Sequence, residues 1–276
     1  MKETADYYYA HDLGGLPLLN ANYKQQNFSK HVHEEYCIGV IDQGAQRFFH
    51  NGAEHVAPQH GIILVNPDQV HDGCADNDSG WKYRAIYPMP GLIKNVQDQL
   101  SSKNTGTAMF NQSVINDLLL ANQLRHLFYL LQYSANTLAR EITFMTVMSN
   151  LLQRHAGGSN QPLTLTQCVP SIKLIKEYLD SHFADNVSIK MLASWVNLNP
   201  NYLTRLFQKQ IGIPPHAYQI QRRLFHAKKM LLAGNTLLNT ALTCGFSDQS
   251  HLNRHFKRWL GISPGKFQPN IKSSRS

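Results

Sequence analysis

The chain has 276 residues, 42% of them hydrophobic, and 26 Lys and Arg against 18 Asp and Glu give it a net charge of +8. That length suits one large domain or two ordinary ones, and that hydrophobic content excludes a disordered chain. No run of about 18 apolar residues lacks charge, so no transmembrane helix is predicted, and the opening MKETADYYYAHD lacks the apolar stretch of a secretory signal.

Residues 28–87 predict β-structure. The runs YCIGVI (36–41), QRFFH (46–50) and GIILVN (61–66) alternate with turn signals such as Asn51-Gly52, Asn66-Pro67-Asp68 and the stretch 76–80. Many short strands at this spacing suggest a small barrel or sandwich. From about residue 111 the period lengthens. Leu120, Leu124, Leu127 and Leu131 form one helical stripe. A second, through Leu138, Ile142, Met145, Met148 and Leu152, follows Ser134-Ala135-Asn136, with Asn136 the expected N-cap. This helical pair is expected to cover the β-domain or to supply a homodimer contact.

HAGGSNQPLTLTQ (155–167) is rich in Gly, Ser, Asn and Pro and predicts a linker. A charge boundary falls at the same place: residues 168–276 carry a net +11 and the residues before them −3. The expected organisation is a β-domain over 1–110, a helical pair over 111–154, a linker over 155–167 and a helical domain over 168–270. A basic half joined to a mildly acidic one points to a nucleic-acid partner, with a merely solvated basic surface as the alternative. The four cysteines, Cys37, Cys74, Cys168 and Cys244, form no CxxC pair and read as reduced thiols of a cytoplasmic protein.

Beyond the linker every segment reads as helix. Ile172, Ile175, Tyr178 and Leu179 form one stripe, Ser188 caps a short helix, and a long helix is predicted from about Pro215 to Leu232. One unit occurs twice, over 191–215 and 239–264. Each copy has a short helix with an inward Ala, a sharp turn, a helix carrying L-x-R-x-F, and a closing Gly-Ile-x-Pro. Leu203, Arg205 and Phe207 answer Leu252, Arg254 and Phe256. This spacing predicts two helix-turn-helix units. Leu and Phe four apart pin one face of the second helix to a core, so the opposite face carries whatever meets base edges. That face offers Asn201, Thr204 and Arg205 in the first unit and Gln249, Ser250, Asn253 and Arg254 in the second. Arg suits guanine and Asn or Gln suits adenine; for any single residue, a solvated helix face is the alternative. A connecting helix of about 18 residues spans about 27 Å. The two recognition helices can then reach successive major grooves about 34 Å apart.

Residues 168–268 resemble the DNA-binding domain of the AraC/XylS regulators. The match runs through Leu192-Ala193, Asn199 to Phe207, Gly212, Tyr218, Arg223, Ala227, Leu231, Ala241, Gly245-Phe246, Asp248, Ser250, Arg254, Phe256-Lys257, Gly261 and Pro264. Leu252 and Phe267 depart from the family's usual Phe and Tyr. The resemblance implies a transcription regulator, activation among its modes, and no enzyme activity. It implies double-stranded promoter DNA and RNA polymerase as partners, and Asn201, Thr204, Arg205, Gln249, Ser250 and Arg254 as DNA-contacting side chains.

Residues 28–90, with FSKHVHEEYCIGVIDQG (28–44) and GIILVNPDQVHDG (61–73), resemble the cupin-like sensor domains that precede many such DNA-binding domains. The implied fold is α+β with two domains. An N-terminal cupin-like β-barrel with following helices precedes an all-α domain of two helix-turn-helix units joined by a long helix. His31, His33 and Glu35 share parity and face one side of an extended strand, and His71, after a Pro-containing turn, can meet them. Such a set suits a divalent metal, structural hydrogen bonding, or contacts to a small polar effector, and all three stay open. Trp81 and Arg84 are candidates to line the same pocket, Arg84 by holding a carboxylate. No cofactor is expected apart from that one metal. The alternative function is a metal-dependent cupin enzyme with an accessory helical domain.

Overall fold

Nine strands open the chain: β1 (Thr4–Ala10), β2 (Leu16–Tyr23), β3 (Phe28–His31), β4 (Cys37–Gly44), β5 (Gln46–His50), β6 (Ala53–Ala57), β7 (Ile62–Val65), β8 (His71–Ala75) and β9 (Trp81–Ile86). They are followed by α1 (Pro90–Leu100), β10 (Met109–Phe110), β11 (Val114–Ile115), α2 (Leu118–Tyr133), α3 (Thr137–His155) and β12 (Ala156–Gly157). The computed structural model describes residues 3–100, 106–157 and 169–272, with side chains up to residue 268. It divides into two compact units, residues 1–160 with 270–276, and residues 161–269. Most of the 155–167 segment lies outside the described residues; its first three residues end α3 and form β12, paired with β10.

The strands form two main antiparallel sheets, one of six in the order β1-β2-β9-β4-β7-β11 and one of four in the order β3-β8-β5-β6. Neither closes on itself: β1 and β11 end the first sheet, β3 and β6 the second. The expected cupin-like barrel is therefore corrected to two open sheets. The physical reason is that alternation and turn residues predict strands, whereas closure depends on which distant strands pair. The hairpin β1–β2, unread in the sequence, pairs through β2 with β9 along residues 18–23 and 81–86. It extends the larger sheet at the side where closure would have to occur.

The inner strands β4 and β7 of the larger sheet are buried on both faces over Cys37–Ile41 and Ile62–Val65, which is why they read as near-continuous apolar runs. Leu16, Leu18, Ile38, Val40, Ile62, Leu64 and Ile86 share a core with α1–α3. Trp81, on the other face, packs with Tyr23 and Tyr83, and with Phe28 of the smaller sheet. Helix α2 starts at Asp117, whose carboxylate accepts from the Leu120 N–H at 3.0 Å. Leu120, Leu124 and Leu127 are fully buried, each contributing roughly 1.5–3 kcal/mol. Asn136 caps α3 by accepting from the Ala139 N–H at 3.0 Å. The buried face of α3 is set by Phe144, Val147, Met148, Leu151 and Leu152, while Leu138 and Ile142 are exposed. Apolar residues ring this helix, so spacing alone does not pick the inward stripe.

The second unit holds α4 (Pro170–Ser181), α5 (Ile189–Trp195), α6 (Pro200–Ile211), α7 (Pro215–Leu232), α8 (Leu237–Thr243), α9 (Gln249–Leu260) and the start of α10 (Pro264–Lys272). Its core includes Leu203 and Phe207 of α6, and Leu252, Phe256 and Trp259 of α9. Phe256 meets Phe267 of α10 edge-on at 5.3 Å between ring centroids, and Trp259 meets Phe225 of α7 at 5.2 Å. Phe267 thus fills its site by packing against Phe256. Among the described residues no helix is long and apolar enough to cross a membrane.

Candidate nucleic-acid interface and effector site

The two α-helical hairpins, α5–α6 and α8–α9, share one turn geometry. After α5, the Leu198 N–H bonds the Ala193 carbonyl at 2.9 Å; after α8, the Phe246 N–H bonds the Ala241 carbonyl at 2.9 Å. The inward Ala of each short helix thus anchors the turn that follows it. The left-handed position within the turn is Asn197 (φ 50°) in the first copy and Gly245 (φ 77°) in the second, two residue types that tolerate that region. Both recognition helices are then capped by an amide or carboxylate. Asn199 accepts from the Asn201 N–H at 2.9 Å, and Asp248 accepts from the His251 N–H at 2.7 Å. The repeat seen in the sequence is therefore a repeat of hydrogen bonds.

With Leu203 and Phe207 buried, α6 presents Asn201 and Arg205 one turn apart on its exposed side. Thr204, between them, is half-buried, and its hydroxyl donates to the Pro200 carbonyl at 2.9 Å. On α9, Gln249, Ser250, Asn253 and Arg254 are all exposed and lie on one side. Tyr202 on α6, and Lys257 and Arg258 on α9, are exposed too. Lys257 and Arg258 stand one turn beyond Asn253 and Arg254, a helical spacing that marks a shared face.

In the first unit, β3, the loop after it and the start of β8 bring three imidazoles together. His31 and His71 are direct cross-strand partners, and His71 pairs in register with His50 on its other side. His33 joins from the loop. One ring nitrogen each from His31, His33 and His71 lies within 4.8 Å of the others, and all three side chains are buried. Burial, and next the neighbouring His33, push His31 down to about 3. Burial, with His31 and His33 beside it, holds His71 well below the usual imidazole range.

Glu35 reaches this cluster through its backbone, its carbonyl accepting from His33 Nδ1 at 2.6 Å, and its carboxylate is not part of the group. Trp81 and Arg84 stand three apart on β9 and so point to opposite sides of the sheet. Trp81 lies between the sheets, 5.3 Å from the Tyr23 ring. Arg84 lies on the helix side, paired with Asp42 at 2.7 Å and over the Phe128 ring of α2. The partners missed in the sequence are Asn66 and Gln69, in the turn before His71. Gln69 Oε1 accepts from Asn66 Nδ2 at 2.9 Å and lies 2.8 Å from His50 Nε2. Asn66 is legible as a turn residue, but the link through Gln69 to His50 spans 19 residues, and local pattern carries no signal for it.

Comparison with known proteins agrees with this two-part layout. A family model described as the AraC-like ligand binding domain matches residues 13–148, and one described as a helix-turn-helix domain matches residues 192–270. Among curated proteins, the uncharacterized HTH-type transcriptional regulator YbfI of Bacillus subtilis is 28% identical over 231 residues, covering 82% of each chain. The HTH-type transcriptional activator RhaS of Escherichia coli is 24% identical over 254 residues, covering 87% of each. Among solved structures, wild-type ToxT from Vibrio cholerae bound to an unsaturated fatty acid superimposes with a TM-score of 0.59 at 12% identity. That match covers 92% of this chain and 94% of that one, and is a likeness of fold.

Proposed function

As this chain belongs to the AraC/XylS transcription regulators, with a ligand-binding N-terminal domain and a helix-turn-helix C-terminal domain, we propose that it reads an asymmetric promoter site with α6 and α9 while a small polar effector in its first unit sets that reading. The observation that carries the proposal is the paired turn geometry. Two recognition helices with matching caps and turns stand on one unit in the strongly basic half of the chain. Asn201 and Arg205 are assigned to one block of bases, and Gln249, Ser250, Asn253 and Arg254 to the next. Phosphates are assigned to basic side chains outside these faces, Lys228 of α7 among them. Effector binding would favour one arrangement of the DNA-binding units over another, through whatever difference in affinity it has for the two. RNA polymerase is the protein partner proposed for the activated state.

A homodimer is proposed through the exposed apolar side of α2 and α3. Leu119 and Ile142 are 61% and 56% exposed and line one groove with His126 and Val147. A contiguous exposed apolar groove of this kind is the form that an interaction surface takes.

The domain reading has a direct experiment. A fragment over residues 165–276 is expected to fold alone as a helical protein and to bind duplex DNA with an affinity that falls steeply with salt. A helical, soluble fragment with no DNA affinity at low salt would contradict it.

A further inference from the structure

We propose that His31, His33 and His71 form a binding centre for one divalent transition-metal ion, with a fourth position filled from outside the chain. The inference goes beyond the regulatory reading and does not depend on it.

Hydrogen bonds fix the tautomers of the three rings. His31 Nδ1 faces the Ser29 carbonyl at 2.7 Å, His33 Nδ1 the Glu35 carbonyl at 2.6 Å, and His71 Nδ1 the Gln69 carbonyl at 3.0 Å. A carbonyl only accepts, so Nδ1 carries the proton in every ring. The nitrogen that each ring has to offer is therefore Nε2, with its lone pair in the ring plane. Three acceptor lone pairs brought together repel one another, and a cation among them turns that repulsion into ligation. The same backbone carbonyls that fix the tautomers are the outer partners that metal-binding histidines ordinarily have.

Geometry and surroundings agree. Three nitrogens on a tetrahedral ion at about 2.0–2.1 Å are about 3.3 Å apart. One nitrogen of each ring already lies within 4.8 Å of the others, so the three rings stand close enough to share one ion. The backbone is already tied for it: the Asp68 N–H donates to the His33 carbonyl at 2.9 Å, joining the His33 loop to the turn that leads into His71. His31 and His71 are held opposite each other by the β3–β8 pairing.

The donor set selects the ion. Three imidazoles with no oxygen donor do not suit Mg2+ or Ca2+, and they do suit Zn2+ and its first-row neighbours. No fourth His, Cys, Asp or Glu among the described residues joins the group, which leaves one coordination position to water or to an oxygen or nitrogen donor of a bound molecule.

The test uses full-length protein stripped with a chelator, without DNA. Zn2+ is titrated by calorimetry and Co2+ by visible absorption. One ion per chain is expected, with Co2+ giving the absorption bands of a four-coordinate nitrogen site. Loss of an outer partner costs a metal site about 10–100-fold in affinity, so His33→Ala and His71→Ala should each exceed about 100-fold. His11→Ala, an exposed histidine just after β1, should leave the affinity unchanged. His33→Gln with His71→Gln guards against misfolding. It should melt like the stripped wild type and gain nothing from Zn2+, whereas the wild type should melt higher as Zn2+ is added. Absence of binding to the wild type, or equal binding to the wild type and the double Gln variant, overturns the proposal. DNA affinity measured on the same samples reports separately on the regulatory reading.

Discussion

Arg223 of α7 donates through its guanidinium to the carbonyl of Gly245, in the turn of the second helix-turn-helix, and through Nε to the carbonyl of Phe183 at 2.7 Å. A further bond reaches the Asp185 carbonyl at 2.8 Å. One buried cation thus satisfies the end of the α4 segment and the turn before α9 together. Gly245 can take this place because a Cβ there would overlap the Ala184 carbonyl.

Arg223→Ala leaves these carbonyls without their donor, and the expected cost is about 3 kcal/mol or more. Arg223→Lys keeps the charge but loses the fork, and should recover less than half of that. Gly245→Ala should lower stability as well, by the clash and by the positive φ. Urea unfolding followed by circular dichroism measures all three, and unchanged midpoints would show that the network is not holding the unit together.

Arg205→Ala and Arg254→Ala should each cost on the order of 1–3 kcal/mol on the preferred DNA site and relax preference at different positions. Lys228→Ala should weaken preferred and random duplexes alike and flatten the salt dependence. Competition binding at fixed salt separates the two patterns. Equal losses on preferred and random DNA for both arginines would make them phosphate contacts.

Asp42 ties the larger sheet to α2. It pairs with Arg84 at 2.7 Å and with Arg125 at 2.9 Å. Burial raises its carboxyl, but hydrogen bonds and charge from the two arginines outweigh that and hold it below the ordinary range. A carboxyl lowered in the folded state stabilises above its unfolded value, about 3.9, and that contribution is lost as pH falls through the folded value. Asp42→Asn should therefore be clearly less stable than wild type at pH 7, with the gap closing below about pH 4. A gap that stays constant with pH would mean that the carboxylate charge does not matter there.

Leu119→Glu with Ile142→Glu should shift the protein from dimer to monomer in light scattering without changing its helix content. A wild type that is monomeric at tens of micromolar would contradict the proposed contact.

The helical half was legible because its information is local. The long helix predicted from about Pro215 to Leu232 matches α7, and residues 249–260 match α9, since Pro starts, Gly stops and Leu–Phe spacing are short-range signals. Arg223 could be named from family resemblance, but its job could not, because its carbonyl partners lie 22 to 40 residues away. In the first unit, His31, His33 and His71 were found by parity and a turn, and the structure brings them together. Arg84 was grouped with them although its parity differs from that of Trp81, and it stands on the far side of the sheet. The open sheets were missed because strand order is a long-range property. The hairpin β1–β2 was passed over because β2, buried almost throughout, shows no alternation.

The most direct test of the account is selection of duplex DNA from a random pool by the full-length protein at near-physiological salt. The expected result is an asymmetric motif of two blocks about one helical turn apart, once for each bound chain, with Arg205→Ala blurring one block and Arg254→Ala the other. A pool that stays unenriched, or a motif that both substitutions leave intact, would contradict it.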